Sequence, residues 1–277
     1  MKIVAYQGEP GAYSESASQN YFKEKITLSP STTFNDVFLK VKKGTADFGV
    51  VPIENSLYGS IFETHDLLRK YSFKVIGEAY QQINHYLMSD KKYEMSKIKK
   101  IYSHPQALGQ CSDFLNSLKK VSVLPVYDTA GAAKMIAENP GNAEAAIASK
   151  RAAEVYGLKI IKGNIQNNSE NFTRFLVISK NGVEVKAEDA KTSLCFELKS
   201  MPGSLFRALS VFALRDIDLT KIESRPLKKR AFEYLFFVDL KGNMKDQKII
   251  NAINHLKEIS QSVMVFGSYE MGKTYRS

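Results

Sequence analysis

Short apolar runs alternate with segments of helical periodicity from residue 1 to about residue 180. The apolar runs predict strands at 2–6, 47–51, 98–103, 121–126, 145–149 and 175–179. Apolar residues at helical spacing predict helices around 34–41 and over 106–118 and 128–138. Strands that alternate with helices in this way predict an α/β fold with largely parallel sheets.

The pattern changes after residue 180. The segment 181–192 is polar, and we predict a linker there. Beyond it, the apolar pattern predicts two helices and four strands, in the order strand 193–199, helix 203–216, strands 219–224 and 232–240, helix 246–260 and strand 263–269. This βαββαβ order is ferredoxin-like. The chain is therefore predicted to have a first domain at 1–180 and a second at 193–277.

Composition indicates an ordinary globular protein. The 277 residues are 44% apolar and 25% charged. The N-terminal apolar run is shorter than the roughly 7–15 residues of a secretory signal, and no stretch approaches the ~20 apolar residues of a membrane span. We predict a cytoplasmic protein with no membrane partner.

The distribution of charges, cysteines and histidines argues against three features. The net charge is +10, but lysine and arginine occur in scattered pairs, which favours a solvated basic surface over a nucleic-acid interface. Cys111 and Cys195 are far apart in sequence, and the four histidines lack metal-binding spacing. We therefore predict no nucleic-acid partner, no disulfide framework and no metal, and the positive charge suits a small anionic substrate.

Polar clusters follow several predicted strands of the first domain. They are PIENS at 52–56, SHPQ at 103–106 and YDTAG at 127–131. Ligands of open parallel sheets bind outside the carboxyl ends of strands, so these clusters are predicted to converge on one cleft. Thr173 and Arg174 are the exception, because they stand where a buried strand begins.

These clusters belong to a series of motifs that spans nearly the whole chain. The series comprises YQGEPGAYSE at 6–15, VPIENSLYGS at 51–60, SHPQALGQC at 103–111, DTAGAA at 128–133, AAIAS at 145–149 and NFTRF at 171–175. In this order they resemble the prephenate dehydratase family. GSLFRALSVF at 203–212 and LTKIESRP at 219–226 resemble an ACT regulatory domain.

The resemblance implies a fold and a reaction. The fold is a two-lobed, periplasmic-binding-protein-like catalytic domain, with lobe one at 1–79 and 161–180 and lobe two at 80–160. The reaction is the decarboxylating dehydration of prephenate to phenylpyruvate in L-phenylalanine biosynthesis, a hydro-lyase reaction that needs no cofactor. Two alternatives are an arogenate dehydratase that makes L-phenylalanine directly and a non-catalytic amino-acid or solute sensor.

The family pattern also implies site residues. Thr173 is expected beside the leaving hydroxyl, and Arg174 is expected to bind a substrate carboxylate through its planar guanidinium. The other substrate-binding candidates are polar and uncharged: Asn55, Ser56, Ser103, Gln106, Gln110 and Thr129. His104 and Glu54 are either proton-transfer groups or structural residues, and the sequence leaves that choice open.

In the second domain the resemblance implies an L-phenylalanine site. The residues implied are Gly203, Ser204, Leu205, Asp218, Glu223 and Ser224. The chain departs from the family at Ser204, where alanine is frequent, and at Asp218, where asparagine is frequent. Ionised Asp218 only accepts hydrogen bonds and would repel a ligand carboxylate.

The family also implies a homodimer formed through the ACT domains, with a homotetramer as a further alternative. The motifs contain no chorismate mutase segment, so we expect a monofunctional enzyme. The sequence does not decide between prephenate and arogenate, between dimer and tetramer, whether phenylalanine inhibits, or which group delivers the proton.

Overall fold

The computed structural model describes residues 1–91, 93–185, 189–199, 201–227 and 233–276. The chain forms two compact units. The first consists of Met1–Gly59, Ala79–Phe175 and Thr274–Ser277, and the second of Ser60–Glu78 and Leu176–Lys273. The predicted linker includes residues 186–188, which lie outside the described residues, and the domain bounds drawn from the sequence stay a prediction.

The elements of the described residues follow in chain order. The strands are β1 (Ile3–Gln7), β2 (Thr27–Ser31), β3 (Phe48–Asn55), β4 (Gly59–Ser60), β5 (Lys74–Gln82), β6 (Tyr86–Ser89), β7 (Lys100–Ser103), β8 (Ser122–Pro125), β9 (Glu144–Ala148), β10 (Lys159–Lys162), β11 (Phe172–Ser179), β12 (Ala190–Leu198), β13 (Leu219–Pro226), β14 (Tyr234–Lys241), β15 (Ser260–Glu270) and β16 (Lys273–Tyr275). The α-helices are α1 (Tyr13–Phe22), α2 (Phe34–Lys43), α3 (Phe62–Tyr71), α4 (Pro105–Gln110), α5 (Ser112–Asn116), α6 (Thr129–Glu138), α7 (Lys150–Tyr156), α8 (Ser204–Ala213) and α9 (Gln247–Ile259).

Two sheets of the α/β part of the chain each contain a set of parallel strands that includes one edge strand. One sheet has the order β16-β5-β11-β3-β1-β2, and β1 runs parallel to both β2 and β3. The other has the order β10-β6-β9-β7-β8, and β7 runs parallel to β8 and β9. The α/β prediction is therefore confirmed. Parallel strands end at the same edge of a sheet, so the loops after β1 and β3 open on one side.

Several elements of the first unit differ from the sequence prediction. The helix predicted at 106–118 is two short helices, because Cys111 leaves the helical region with φ −112° and ψ 19° and stays buried in the apolar core. The sequence analysis did not predict helices α1, α3 and α7 or strands β2, β4, β5, β6, β10 and β16. Their sequences mix polar and apolar residues; Gln81 and Gln82 in β5, for example, are polar but buried.

The second unit contains a four-stranded sheet with the order β13-β14-β12-β15. This is the ferredoxin-like arrangement, so that prediction is confirmed, although residue 232 of the strand predicted at 232–240 lies outside the described residues. Helices α8 and α9 cover one face, where Phe196 and Phe212 belong to the apolar core and Phe236 packs against it. Neighbours in a strand face opposite ways, and Phe237 meets His65 of α3 on the other face, with ring centroids 4.6 Å apart.

A buried ion pair joins β5 to β12, a strand of the four-stranded sheet. Lys191 Nζ in β12 lies 2.7 Å from Glu78 Oε1 in β5, and both side chains are almost fully buried. The Gly272 backbone N–H donates to the same carboxylate oxygen at 3.0 Å. This carboxylate is therefore satisfied inside the fold.

No helix of the described ranges combines the length and the apolarity needed to cross a membrane. The same residues contain no group of three or more His, Cys, Asp or Glu side chains placed to hold a metal ion.

Candidate active site

The centre of the candidate site is an amide–hydroxyl pair where β3 ends and β11 begins. The Asn55 amide nitrogen, Nδ2, donates to Thr173 Oγ1 at 3.1 Å and to Asn171 Oδ1 at 2.8 Å. It also lies 3.2 Å from the Phe172 carbonyl oxygen. These contacts join two sequence motifs that are more than one hundred positions apart.

The orientation of the Asn55 amide is determined by the turn that follows it. Asn55 Oδ1 accepts the backbone N–H groups of Leu57 and Tyr58, each at 3.0 Å. Backbone N–H groups only donate, so the oxygen must face the turn and the nitrogen must face Thr173. Thr173 Oγ1 therefore accepts from Asn55, and no other described residue is hydrogen-bonded to it. Its own proton remains for a ligand.

Arg174 lies on the other side of the same strand. Adjacent strand residues point to opposite faces, and the contacts agree: Thr173 meets Asn55, whereas Arg174 Nη1 lies 3.7 Å from Glu54 Oε2. The Arg174 side chain is only 6% exposed. The expectation that Thr173 and Arg174 project together toward one ligand conflicts with this alternation.

Asn171 is a site residue that the sequence did not single out. It is fully buried, and its Oδ1 accepts from Asn55. Its Nδ2 has no hydrogen-bond partner among the described residues. Exchanging the two amide atoms would bring the Asn171 and Asn55 nitrogens together, so the unpaired group is a donor. Buried donors of this kind are rare and concentrate at functional sites.

The motif after β7 has mainly structural partners. Ser103 is buried and donates to the Ile147 carbonyl oxygen at 2.6 Å. His104 caps α4, since its Nδ1 accepts the backbone N–H of Gln106 at 3.3 Å. Gln106 is exposed, whereas Gln110 is buried. Nδ1 of His104 is used for capping, and the choice between a structural and a proton-transfer role stays a prediction.

Gln110 takes part in a buried hydrogen-bond chain. Its amide lies 2.6 Å from His85 Nε2, His85 Nδ1 lies 3.0 Å from Tyr13 Oη, and Tyr13 Oη lies 2.6 Å from the Asn84 carbonyl oxygen. His85 and Tyr13 were not among the predicted site residues. The only sequence signal was a histidine in an otherwise apolar and polar-uncharged segment, QINHYL at 82–87.

Asp128 is a carboxylate of the first unit that caps a helix. Its Oδ1 accepts the Gly131 backbone N–H at 2.8 Å and so caps α6, whose first residue is Thr129. Burial raises the pKa of the Asp128 carboxyl. A Cβ at Gly8 would lie 3.0 Å from Asp128 Oδ2, so the loop after β1 approaches this carboxyl closely.

The loop after β1 is held from both sides. Buried Glu15 accepts the Gly11 backbone N–H at 2.6 Å, and Ser149, which caps α7, donates to the Gly11 carbonyl oxygen at 2.6 Å. Gly11 has φ +92°, and a Cβ there would lie 2.6 Å from Ala152 Cα. Glycine is required at this position both for its backbone angle and for space.

Ser56 continues the contact between the two strands. Its Oγ accepts the Phe172 backbone N–H at 2.9 Å and lies 3.2 Å from the Glu170 carbonyl oxygen. Ser56 is exposed. Of the predicted substrate-binding residues, Asn55 and Ser56 therefore contact the segment that contains Thr173.

The predicted effector residues are divided in the second unit. Gly203, Ser204 and Leu205 line a cavity of about 310 Å³. Asp218 instead pairs with Lys241 at 2.9 Å on the surface. The remaining cavity residues are Leu198, Lys199, Met201, Phe206, Glu233, Tyr234 and Phe236.

Glu223 faces away from that cavity. Its Oε2 accepts from Ser60 Oγ at 2.5 Å, and its cross-strand partner is Phe237, which faces α3. Ser224 is paired with Phe236 and shares the cavity's side of the sheet. The reason is an irregularity of β13 between Leu219 and Lys221, which re-aims the residues that follow.

The first unit has an α/β fold with a buried amide–hydroxyl pair, which suits an enzyme domain. The second is a ferredoxin-like unit with a cavity at the entrance of a helix. Residues 4–183 match the family model for prephenate dehydratase, and residues 192–258 match that for the ACT domain. The chain therefore belongs to the prephenate dehydratase family and carries an ACT domain. It is a dehydratase of the hydro-lyase class, so the sensor hypothesis is set aside.

Individual relatives agree with this assignment. The chain is 42% identical over 281 residues to arogenate dehydratase/prephenate dehydratase 2, chloroplastic, of Arabidopsis thaliana, covering 98% of this chain and 73% of the relative. It is 40% identical over 267 residues to the bifunctional chorismate mutase/prephenate dehydratase of Aquifex aeolicus, covering 96% and 73%. Among solved structures, prephenate dehydratase from Arthrobacter aurescens in complex with L-Phe matches with a TM-score of 0.88 and 30% identity, covering 97% of this chain and 89% of that one.

Proposed function

We propose that this dehydratase acts on prephenate, releases phenylpyruvate, carbon dioxide and water, and responds to L-phenylalanine. The observation that carries the catalytic part is the fixed orientation of the Asn55 amide toward Thr173. It leaves the Thr173 hydroxyl able to donate to a substrate oxygen. The Aquifex aeolicus relative, named as a prephenate dehydratase, supports the choice of substrate.

The reaction needs a hydrogen bond at the oxygen that leaves. The carbon–carbon bond to the ring carboxylate breaks, its electron pair enters the ring, and the C4–oxygen bond breaks as the ring becomes aromatic. Negative charge develops on the departing oxygen, which takes a proton from solvent and leaves as water. A threonine hydroxyl is too weak an acid to give up its proton outright. Thr173 therefore contributes a hydrogen bond that strengthens as the charge develops.

Asn55 makes this hydrogen bond directional. Because Asn55 Nδ2 occupies an acceptor site of Thr173 Oγ1, the threonine proton is directed elsewhere. The amide itself cannot rotate without losing the two backbone N–H groups at its oxygen. Preorganised donors of this kind avoid reorganisation at the moment of reaction.

The test compares Thr173→Ala with Thr173→Ser on prephenate and L-arogenate in parallel. Loss of the hydroxyl is expected to lower kcat by about 10²–10³-fold, while serine retains most of the rate. Phenylpyruvate is followed by its ultraviolet absorbance in alkali. Equal rates for wild type and Thr173→Ala, above the spontaneous reaction, would overturn the role of Thr173.

Arogenate is the second candidate substrate. The Arabidopsis thaliana relative, at 42% identity, carries both activities in its name. The leaving groups are the same, so the Asn55–Thr173 pair serves either substrate. The ratio of kcat/KM for the two substrates decides the question, and phenylalanine formed from arogenate alone would assign the protein to the second reaction.

The effector proposal rests on the cavity at Gly203. Gly203 stands at the start of α8 with φ +76° and no side-chain cap, so backbone N–H groups of the first turn are free of a capping side chain and suit a carboxylate. The apolar lining, with Leu205 and Phe236, suits a phenyl ring. The Arthrobacter aurescens relative was solved with L-Phe. Activity that does not change with added L-phenylalanine would remove this part of the proposal.

A further inference from the structure

With a neutral imidazole, the buried chain from Asn84 through Tyr13 and His85 to Gln110 has one consistent arrangement of protons. Tyr13 Oη has a single hydrogen, and it lies 2.6 Å from the Asn84 carbonyl oxygen, which can only accept. The tyrosine must therefore donate to Asn84. A second contact of the same oxygen, at 3.0 Å to His85 Nδ1, must then be one in which the tyrosine accepts.

This reasoning assigns the histidine proton. If Tyr13 accepts from His85, Nδ1 carries the hydrogen. His85 is 1% exposed, and its ring meets the Tyr13 ring edge-on with centroids 5.8 Å apart. Burial lowers the pKa of the imidazole. A neutral ring with a proton on Nδ1 has a lone pair on Nε2.

The Gln110 amide must then present its nitrogen to His85. Gln110 Oε1 is placed 2.6 Å from His85 Nε2, which would bring two acceptors together. Rotation of the amide by 180° exchanges oxygen and nitrogen within the same volume, and the nitrogen then donates to Nε2. The side-chain oxygen of Gln110, Oε1, consequently points away from His85.

The surroundings hold this chain in place. The His85 backbone N–H donates to Gln166 Oε1 at 2.9 Å, and Gln166 Nε2 donates to Asn84 Oδ1 at 2.7 Å. The Asn167 backbone N–H donates to the backbone carbonyl oxygen of Gln110 at 2.7 Å. The backbone on both sides of the His85–Gln110 contact is therefore fixed, and the amide orientation is the remaining variable.

We propose that His85 is a positioning residue that, protonated on Nδ1 through its contact with Tyr13, turns the Gln110 amide so that its oxygen is the group offered to substrate. An amide oxygen accepts the hydrogen of the substrate's hydroxyl and leaves that oxygen's lone pairs for Thr173. The arrangement of protons stands by itself. The use that catalysis makes of it rests on the proposed function.

The first test reads the tautomer directly. The chain has four histidines, so a ¹⁵N spectrum of protein labelled only at histidine contains few signals, and His85→Gln identifies those of His85. At pH 7.5 we expect a protonated Nδ1 and an unprotonated Nε2 at His85. A protonated Nε2 would overturn the proposal.

Two variants show that the method detects a switch. Gln110→Glu offers only acceptor oxygens to Nε2, so a proton on Nε2 is expected. Tyr13→Phe removes the acceptor for Nδ1–H and deletes one oxygen atom, and the histidine is expected to move its proton to Nε2 and donate to a reoriented Gln110. A Tyr13→Phe protein that melts like wild type but keeps the Nδ1 proton would contradict the role given to Tyr13.

The second test asks whether the orientation matters for turnover. Tyr13→Phe is expected to lower kcat/KM about tenfold, as for the loss of one ordinary hydrogen bond in the transition state. Tyr21→Phe, a partly buried tyrosine elsewhere in α1, is the matched control and should leave kcat/KM unchanged. A switched tautomer with unaltered kcat/KM would overturn the positioning role. Absence of turnover in the wild type would instead contradict the proposed function, and the tautomer result would still stand.

Discussion

In the candidate active site, residues from separate motifs share one strand face. The residues predicted for the effector site are instead divided between the two faces of a sheet. In the first unit, Asn55 and Thr173 meet because both occupy the same face at strand ends. In the second unit, Gly203 lines a cavity on one face of the sheet, whereas Glu223 is bonded to Ser60 on the other. A motif read from sequence names residues that are close in the chain, but the alternation of a strand decides which of them share a site.

Arg174 shows the same alternation of strand faces in the first unit. It follows Thr173 directly but contacts Glu54 on the opposite face. The two regions thus teach one lesson: neighbouring polar residues of a strand are candidates for two different roles. Substitutions in both units can separate these roles.

The largest effect on stability is expected from the buried ion pair of the second unit. Glu78→Gln removes one charge of the buried Glu78–Lys191 pair, and breaking a buried pair costs about 3–5 kcal/mol. Urea unfolding measures the change. Glu223→Gln, which alters a partly exposed carboxylate, is the control. A change below about 1 kcal/mol for Glu78→Gln, within the range of surface pairs, would contradict this account.

A large loss of activity, without loss of the fold, is expected from a substitution at Asn55. Asn55→Asp keeps an oxygen for the Leu57 and Tyr58 N–H groups but turns an acceptor toward Thr173, whose proton then points to the aspartate. We expect kcat to fall about 10²-fold, similar to losing a transition-state donor. Steady-state kinetics measures it, with circular dichroism to verify the fold. Activity within twofold of wild type would show that the threonine proton is not directed by Asn55.

Each unit also has a buried histidine whose contribution to stability is expected to depend on pH. Burial lowers the pKa of both His85 and His65. Because the unfolded chain binds protons at these rings near the ordinary pKa of about 6.5, stability is expected to be full above that pH and to fall as the pH drops toward the lowered folded values. The slope is at most about 1.4 kcal/mol per pH unit for each ring.

Urea unfolding between pH 4.5 and 7.5 tests this dependence. His65→Gln should reduce the slope for the second unit and leave that of the first. A slope that is unchanged in the variant would mean that other groups, and not His65, take up the protons.

The smallest effect is expected at Glu223. Because it contacts Ser60 rather than the cavity, Glu223→Gln should change L-phenylalanine affinity by less than about twofold, whereas Gly203→Val, at a cavity residue with φ +76°, should weaken it strongly. Isothermal titration calorimetry measures both. Equal losses of affinity would place Glu223 in the effector site after all.

The sequence predicted the fold class because periodicity and order reflect burial, which is local information. It also brought forward Asn55 and Thr173 through their motifs, and the hydrogen bond between them is consistent with that selection. It did not predict the His85–Gln110 contact or the unpaired Asn171 donor, because both depend on which strands lie side by side. The direction of Glu223 depends on the irregularity of β13, which leaves no mark in a hydrophobic pattern.

The tight contact of Gly11 with Ala152 has a consequence for how this family is compared. Any side chain at Gly11 must displace the backbone of α7, and its positive φ disfavours every other residue. Natural selection is therefore expected to keep this glycine as strictly as a catalytic residue, for reasons of space and backbone angle alone. Invariance across relatives would then rank Gly11 beside Thr173, although Gly11 would owe it to space and Thr173, under the proposed function, to chemistry.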